Sequence, residues 1–341
     1  MSNEEETSES FLDALLSKKM KSNTSAIEHS ISKEEEAAVH FMDLLERTKN
    51  IAPIKTAVVH PTDKESLEGA IKSAQLGLIE PILIGPENKI VKVAKEYDID
   101  LENYKIVNVE HSHKAAEKSV ELVHIGEVVA VMKGALHTDE LMSEVVRKDR
   151  GLRTERRMSH AFLMSVSTFH KPFIITDAAI NIKPTLSEKR DILQNAIDLM
   201  HVLGIDNPKV AILSAVETIN EKIPATIDAA SLSKMVDRGQ IVGAIVDGPL
   251  AFDNAISLIA AETKGIKSEV SGNADILLVP DLESGNMLSK QLKYLANALV
   301  AGIVIGTKVP IILTSRADPT DTRVISCVLA VLMHHNAKIK L

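Results

Sequence analysis

The sequence predicts an α/β fold built on mostly parallel β-sheet, and three observations predict it. From Lys55 onward, short β-branched runs alternate with longer helical patterns, the order that parallel strands and their crossover helices produce. Most of the short runs are apolar on both faces, as strands covered by helices on both sides are. The 341-residue chain is 45 % hydrophobic but only 3 % aromatic, so its core is aliphatic, and its length has room for two domains.

The elements follow in order. Residues 1–50 contain no Gly and no Pro and carry −5 of the chain's −8 net charge. Ser10-x-x-Asp13 and Ser32-x-x-Glu35 have the form of capping boxes. Leu12, Leu15 and Leu16 make one apolar stripe; Val39, Met42 and Leu45, with Phe41, make a second. Two short helices joined at 22–25 are expected, as a loosely docked appendage or else as an arm that binds a partner. Strands are expected at 56–60, 81–84, 106–109, 128–132, 161–166, 173–176, 210–213, 241–246, 276–279 and 309–313. Helices are expected at 64–76, 88–96, 113–125, 139–147, 187–203, 226–237, 251–263, 284–300 and 320–333.

Several function classes are disfavoured by composition. One cysteine, Cys327, rules out a disulfide framework and a multi-cysteine metal site. It sits in an apolar helical stretch, where a thiol behaves as a small buried hydrophobe. The acidic balance argues against nucleic acid. The densest apolar run, 298–306, is far shorter than the about 20 residues of a membrane span, and the N-terminus lacks a cationic leader; a soluble cytoplasmic protein is expected. There is no G-x-G-x-x-G after a strand and no Walker sequence. His111-x-His113 and His334-His335 lack further ligands, so no metal site is expected.

Four loops carry candidate chemistry. Ser315 and Arg316 follow an apolar strand and precede a helix that starts near Thr320, where unpaired N–H groups favour an anion. Arg316 can grip a phosphate through two hydrogen bonds, and Ser315 adds a neutral donor. The bland alternative is that Asp318, Thr320 and Asp321 cap the helix while Arg316 pairs with a carboxylate. Asp247-Gly-Pro-Leu-Ala-Phe-Asp253 reads as a strand-to-helix turn. Asp281, Glu283 and Asn286 lie after the strand at 276–279 and either bind a ligand or cap the next helix. Arg153, in Gly151-Leu-Arg-Thr154, is a second candidate anion ligand or else a structural arginine; Arg150, Arg156 and Arg157 read as a solvated basic face.

Taken together, Asp247–Asp253, Gly272-Asn-Ala-Asp275, the 279–286 loop and Ser315-Arg316 resemble the phosphate acetyl/butyryltransferase family in order and spacing. Met132-Lys-Gly134, Gly151-Leu-Arg-Thr154, Ser159-His160 and Thr176-Asp-Ala-Ala179 agree. The resemblance spans roughly 50–338 and leaves residues 1–50 outside. It implies two three-layer α/β domains of the isocitrate/isopropylmalate dehydrogenase-like type with a cleft between them. Residues 51–153 plus 303–341 would form domain I and 154–302 domain II, with 1–50 as a helical acidic extension. It implies transfer of a short acyl group between CoA and phosphate by a homodimer, with no metal or other cofactor. The implied catalytic residues are Ser315 (carbonyl polarisation), Arg316 (phosphate) and Asp321 (base for the CoA thiol, with Asp318 as fallback). Arg153, Lys133, Asp281, Asn286 and Asp318 are the implied substrate-binding residues. Acetyl-type members carry an Asp-Asp pair where this chain has Asp321-Thr322, while Ser-Arg-Ala-Asp and Gly-Leu-Arg-Thr look butyryl-type; acetyl is preferred here. Two other readings stand beside it: a nicotinamide dehydrogenase with a metal held by Asp247, Asp253 and Asp281, and an idle CoA-binding regulator.

Overall fold

A computed structural model describes residues 33–336. The expected helix around 12–16 and its joint at 22–25 lie outside the described residues. In chain order the elements are α1 (Lys33–Thr48), β1 (Ile54–Val59), α2 (Lys64–Gln75), β2 (Ile79–Gly85), α3 (Glu87–Glu96), β3 (Lys105–Asn108), α4 (Ser112–His124), β4 (Ala130–Lys133), α5 (Thr138–Val145), β5 (Ser159–Ser165) and β6 (Phe173–Thr176). They continue with α6 (Leu186–Val202), β7 (Lys209–Leu213), α7 (Pro224–Asp237), β8 (Ile245–Leu250), α8 (Phe252–Ile256), α9 (Leu258–Thr263), β9 (Ile276–Leu278), α10 (Leu282–Leu295), β10 (Leu299–Ile305), β11 (Ile311–Ile312) and α11 (Thr320–Asn336).

All eleven strands of the described residues join one sheet, in the order β3-β2-β1-β4-β11-β10-β5-β6-β9-β7-β8. β3 through β11 on one side run parallel, as do β6, β9, β7 and β8 on the other. The centre is antiparallel: β10 opposes both β11 and β5, and β5 opposes β6. Mostly parallel pairing thus holds within each half and reverses where the halves meet.

Alternation along the strands assigns the two faces. Val58 joins one apolar cluster while Ala57 and Val59 join another. On one face a single cluster runs across both halves beneath α1, α2, α6 and α11. On the other face there are two clusters, one under α4 and α5 and one under α8 and α10. They meet at β10, where Val304 belongs to the first and Val300 to the second. Between them stands Gly302, where a Cβ would come within 2.5 Å of the Leu313 carbonyl oxygen and 3.2 Å of the His160 ring.

Three expectations need correction. The run 298–306 is the central strand β10, not the tail of a helix: Asn297 adopts φ 48°, a left-handed conformation that Asn tolerates, and α10 stops two residues earlier. The strand expected at 241–246 begins at Ile245 instead, because Gly243 turns the chain with φ +80°. Asp247, Gly248 and Pro249 consequently lie inside β8 rather than in a turn after it; β8 is an edge strand, where proline's missing donor is tolerated. The helix expected at 251–263 breaks at Ser257, which is extended and whose hydroxyl then accepts from the Ala260 N–H to start α9.

The N-terminal helix is also more than an appendage. Phe41, Met42 and Leu45 of α1 are buried in the large cluster, while Val39 points outward. His40 bonds to Ser165 at 3.2 Å, and Arg47 donates to the Leu203 and Val202 carbonyls at 2.7 and 3.0 Å. Cys327 is fully buried, and burial pushes its thiol up to about 12.

Candidate active site

β1, β4 and β11 are adjacent and parallel, so the segments that follow them leave the same edge of the sheet, where open α/β sheets bind ligands. Gly134 allows a close approach there: its N–H donates to the Val59 carbonyl at 2.9 Å, and a Cβ would fall 2.4 Å from that oxygen.

Ser315 and Arg316 are exposed in the loop after β11. Their loop is fastened by Asp318, whose carboxylate accepts from the Ser315 N–H at 2.6 Å and pairs with Lys293 of α10. Arg316 Nε donates to the Leu136 carbonyl at 3.4 Å. Asp321, in the first turn of α11, instead faces α1 and α2: it pairs with Lys72 at 3.3 Å and lines a cavity of about 270 Å³ with Phe41 and Met42.

Two buried cations lie behind this loop. Lys133 is 2 % exposed; its ammonium donates to the Gly134 carbonyl at 3.2 Å and forms no ion pair within the described residues. Burial, then the neighbouring Arg323 and Arg316 cations, lower its pKa from 10.5 to about 8. Arg323 is 0 % exposed and donates to Thr314 Oγ1 at 2.7 Å and the Ser315 carbonyl at 3.1 Å; burial lowers its pKa. A site with this excess of buried positive charge suits an anion.

His160 sits at the seam between the two clusters, completely buried. Its Nε2 lies 3.1 Å from the Leu313 carbonyl oxygen. A carbonyl only accepts, so this geometry assigns the proton to Nε2 and leaves Nδ1 a bare acceptor, and Nδ1 has no partner among the described residues. Burial holds the imidazole pKa down, against the opposing pull of Asp177 and Asp318.

The second half contributes α10 and the loop after β6. Asp281 caps α10, accepting from the Ser284 N–H at 2.9 Å, and Asn286 Nδ2 donates to the Ala178 carbonyl at 3.2 Å. The Asp177 carboxylate accepts from the N–H groups of Ala179, Ile180 and Asn181. Because α10 begins beside Ile182 and carries Lys293 near its end, it spans from this loop to Asp318.

The structure therefore brings together Ser315, Arg316, Asp318 and, through Arg323, Lys133. Arg153 is exposed and lies toward the other end of β10: it bridges to Thr307, whereas Leu313 bonds to Gly302. Arg150, Arg156 and Arg157 are not a free basic face; they pair with Glu117 and Glu144, Asp198, and Glu188. Asp247, Asp253 and Asp281 form no cluster able to hold a metal ion among the described residues, which removes the support for the dehydrogenase reading. Lys293, Arg323 and the free face of His160 escaped sequence reasoning. Only the Ser159-His160 motif hinted at the last.

A sequence profile of the phosphate acetyl/butaryl transferase family matches residues 114–331. The chain belongs to this family. It is 66 % identical over 335 residues to a phosphate acetyltransferase of Rickettsia felis, covering 98 % of this chain and 96 % of that one. It is 43 % identical over 296 residues to a phosphate butyryltransferase of Clostridium acetobutylicum, covering 87 % and 98 %. Among solved structures, a branched-chain phosphotransacylase from Enterococcus faecalis V583 matches with a TM-score of 0.72 at 30 % identity, covering 83 % of this chain and 99 % of that one. A phosphotransacetylase from Streptococcus pyogenes has a TM-score of 0.71 at 22 % identity, covering 88 % and 99 %, and so shares the fold. No helix among the described residues is long and apolar enough to cross a membrane.

Proposed function

We propose that the protein is a phosphate acyltransferase: acyl-CoA plus phosphate gives acyl phosphate plus CoA, with acetyl the preferred acyl group. The observation that carries this reading is the exposed Ser315-Arg316 pair backed by two buried cations, Lys133 and Arg323, that form no ion pair among the described residues, in a chain 66 % identical to a phosphate acetyltransferase.

In this reading Arg316 and Lys133 hold phosphate so that one of its oxygens attacks the thioester carbonyl. The Ser315 hydroxyl donates to the carbonyl oxygen as negative charge develops there. The thiolate of CoA leaves and takes up a proton; in reverse, the thiol, with an ordinary pKa of about 8.5, gives its proton to a carboxylate. Asp318 is assigned as that base, because it is the carboxylate bonded to the Ser315 amide; Asp321, the residue the resemblance implies, faces α1 and α2 and pairs with Lys72, and stands second. CoA is an extended polyanion, and Arg153 at the far end of β10 suits its distal phosphates. Asp281 and Asn286 are assigned to the same groove along α10. Such acyl transfer requires polarisation, positioning and one proton, and we assign it no metal or other cofactor.

The two separate apolar clusters on one face support a division into domain I (51–153 plus 303–341) and domain II (154–302) of the isocitrate/isopropylmalate dehydrogenase-like type, with the cleft along the His160–Gly302 seam. Exposed Leu258, Ile259, Met287 and Leu295 in the second half support a homodimer through that half. The reading places the enzyme in the cytoplasm.

The test is thiol release from acetyl-, propionyl- and butyryl-CoA with and without phosphate. Phosphate-dependent release, fastest with acetyl-CoA, is expected. CoA binding without turnover on any of the three would overturn the assignment in favour of an idle regulator.

A further inference from the structure

Arg323 is the largest of the fully buried side chains, and its charge meets no carboxylate in any ion pair within the described residues. Its donors go to the loop that carries Ser315 and Arg316. Besides the bonds to Thr314 Oγ1 and the Ser315 carbonyl, it approaches the carbonyls of Lys133 and Arg316 at 3.5 Å. Its Nε has no partner among the described residues.

The packing around it is specific. Gly69 of α2 faces the arginine stem: a Cβ at position 69 would fall 2.7 Å from Arg323 Cδ and 3.0 Å from its Cβ. Glycine within a helix is less favourable than alanine, and here its lack of a side chain makes room for the arginine. A space-filling role alone would suit Leu or Met, since a buried guanidinium loses its hydration and must regain it from other groups. Here it regains it chiefly from one loop, from the Thr314 hydroxyl and the Ser315 and Arg316 carbonyls, with the Lys133 carbonyl at the end of β4 beside them.

We infer that Arg323 is the positioning residue of the acyl-transfer site. Its forked donors hold the Thr314–Arg316 backbone from behind, so that the Ser315 hydroxyl and the Arg316 guanidinium are presented to the substrates. Its unpaired charge adds to the field that receives phosphate. The inference rests on the function proposed above.

The experiment uses the full chain with Arg323→Met, Arg323→Lys, Arg323→Ala and Gly69→Ala. In Arg323→Met, kcat for phosphate-dependent thiol release falls about 100-fold, the scale of a lost transition-state donor, and the KM for phosphate rises while that for acetyl-CoA stays the same. Arg323→Lys restores the phosphate KM, because it keeps the charge, but not kcat, because it lacks the fork. Gly69→Ala lowers kcat in the wild type and has no further effect in Arg323→Ala, the non-additivity expected of a change that acts through the arginine. A folded Arg323→Met enzyme with wild-type kcat, or additive effects of Gly69→Ala and Arg323→Ala, overturns the inference. If Arg323→Met fails to fold, Arg323→Lys and Gly69→Ala decide by the same criteria. If the wild type shows no phosphate-dependent thiol release, the functional reading fails, and hydrogen exchange over 314–318 decides this inference separately. Faster exchange in Gly69→Ala and Arg323→Lys upholds the positioning role; unchanged exchange overturns it.

Discussion

The two halves of the sheet handle charge at their strand ends in opposite ways. In the second half each strand-end carboxylate is answered within its own segment or by a neighbour. Asp177 gathers three backbone N–H groups, Asp281 caps α10, and Asp275 pairs with Lys171 and accepts from the Lys209 N–H. Even the buried Lys189 has its own carboxylate, Asp228, at 2.8 Å. In the first half Lys133 and Arg323 are buried beside each other, and among the described residues their hydrogen bonds go only to carbonyl and hydroxyl oxygens. Charge that is internally matched builds structure. Charge left unmatched in the interior costs stability, and it is useful where a ligand of opposite sign completes it.

This contrast is open to attack in order of expected effect. Arg316→Ala removes the exposed cation and lowers phosphate-dependent turnover by about 100-fold or more; steady-state kinetics that show wild-type rates would place the anion elsewhere. Asp318→Asn comes next. It loosens the Ser315 amide and leaves Lys293 without its carboxylate, so both turnover and thermal midpoint fall, by up to about 3 kcal/mol in stability for a broken partly buried pair. Chemical denaturation and kinetics on one preparation check both.

Lys133 gives a pH test with a definite sign. Its folded pKa, about 8, lies below the ordinary 10.5, so between these values the unfolded chain binds the proton that the folded chain lacks. That contribution makes the protein more stable as pH rises from about 8 to 10.5, and Lys133→Met flattens the rise in a pH series of melts. Phosphate affinity runs the other way and weakens as pH rises through about 8, because the cation is lost. The smallest effect is in the second half. Asp281→Ala loses a helix cap and costs about 1 kcal/mol, read from the denaturation midpoint; a large rise in the CoA KM with no loss of stability would move Asp281 from capping to substrate binding.

The alternation of strands and helices was legible because period-2 and period-3.6 patterns are local properties of the chain. So was the Ser315-Arg316 loop, since a polar segment between an apolar strand and an apolar helix is visible without tertiary contacts. What misled was uniform apolarity. The run at 298–306 is hydrophobic on both faces and reads equally as helix or strand, and only the left-handed Asn297 separates the two. Gly243 displaced β8 for the same reason. The antiparallel centre of the sheet follows from chain paths between distant segments, which periodicity does not record. Lys293, 25 residues from Asp318, and Gly69, which makes room for Arg323, were hidden likewise, because each matters only through a partner far along the chain.

The position of β11 has a consequence for how the molecule is made. This two-residue strand is fifth of eleven in the sheet yet nearly last in the sequence, and it lies between β4 and β10. While the chain is emerging from the ribosome, β1 to β4 can associate early, but β4 then presents an open edge of Val131 and Met132, the kind of edge that recruits stray strands. That edge is closed only when residues 311–312 arrive, and the Ser315 loop takes shape in the same event. Completion of the sheet and birth of the site are one step, late in synthesis. A chain cut short before position 311 would lack the loop and leave the inner edge of β4 uncovered.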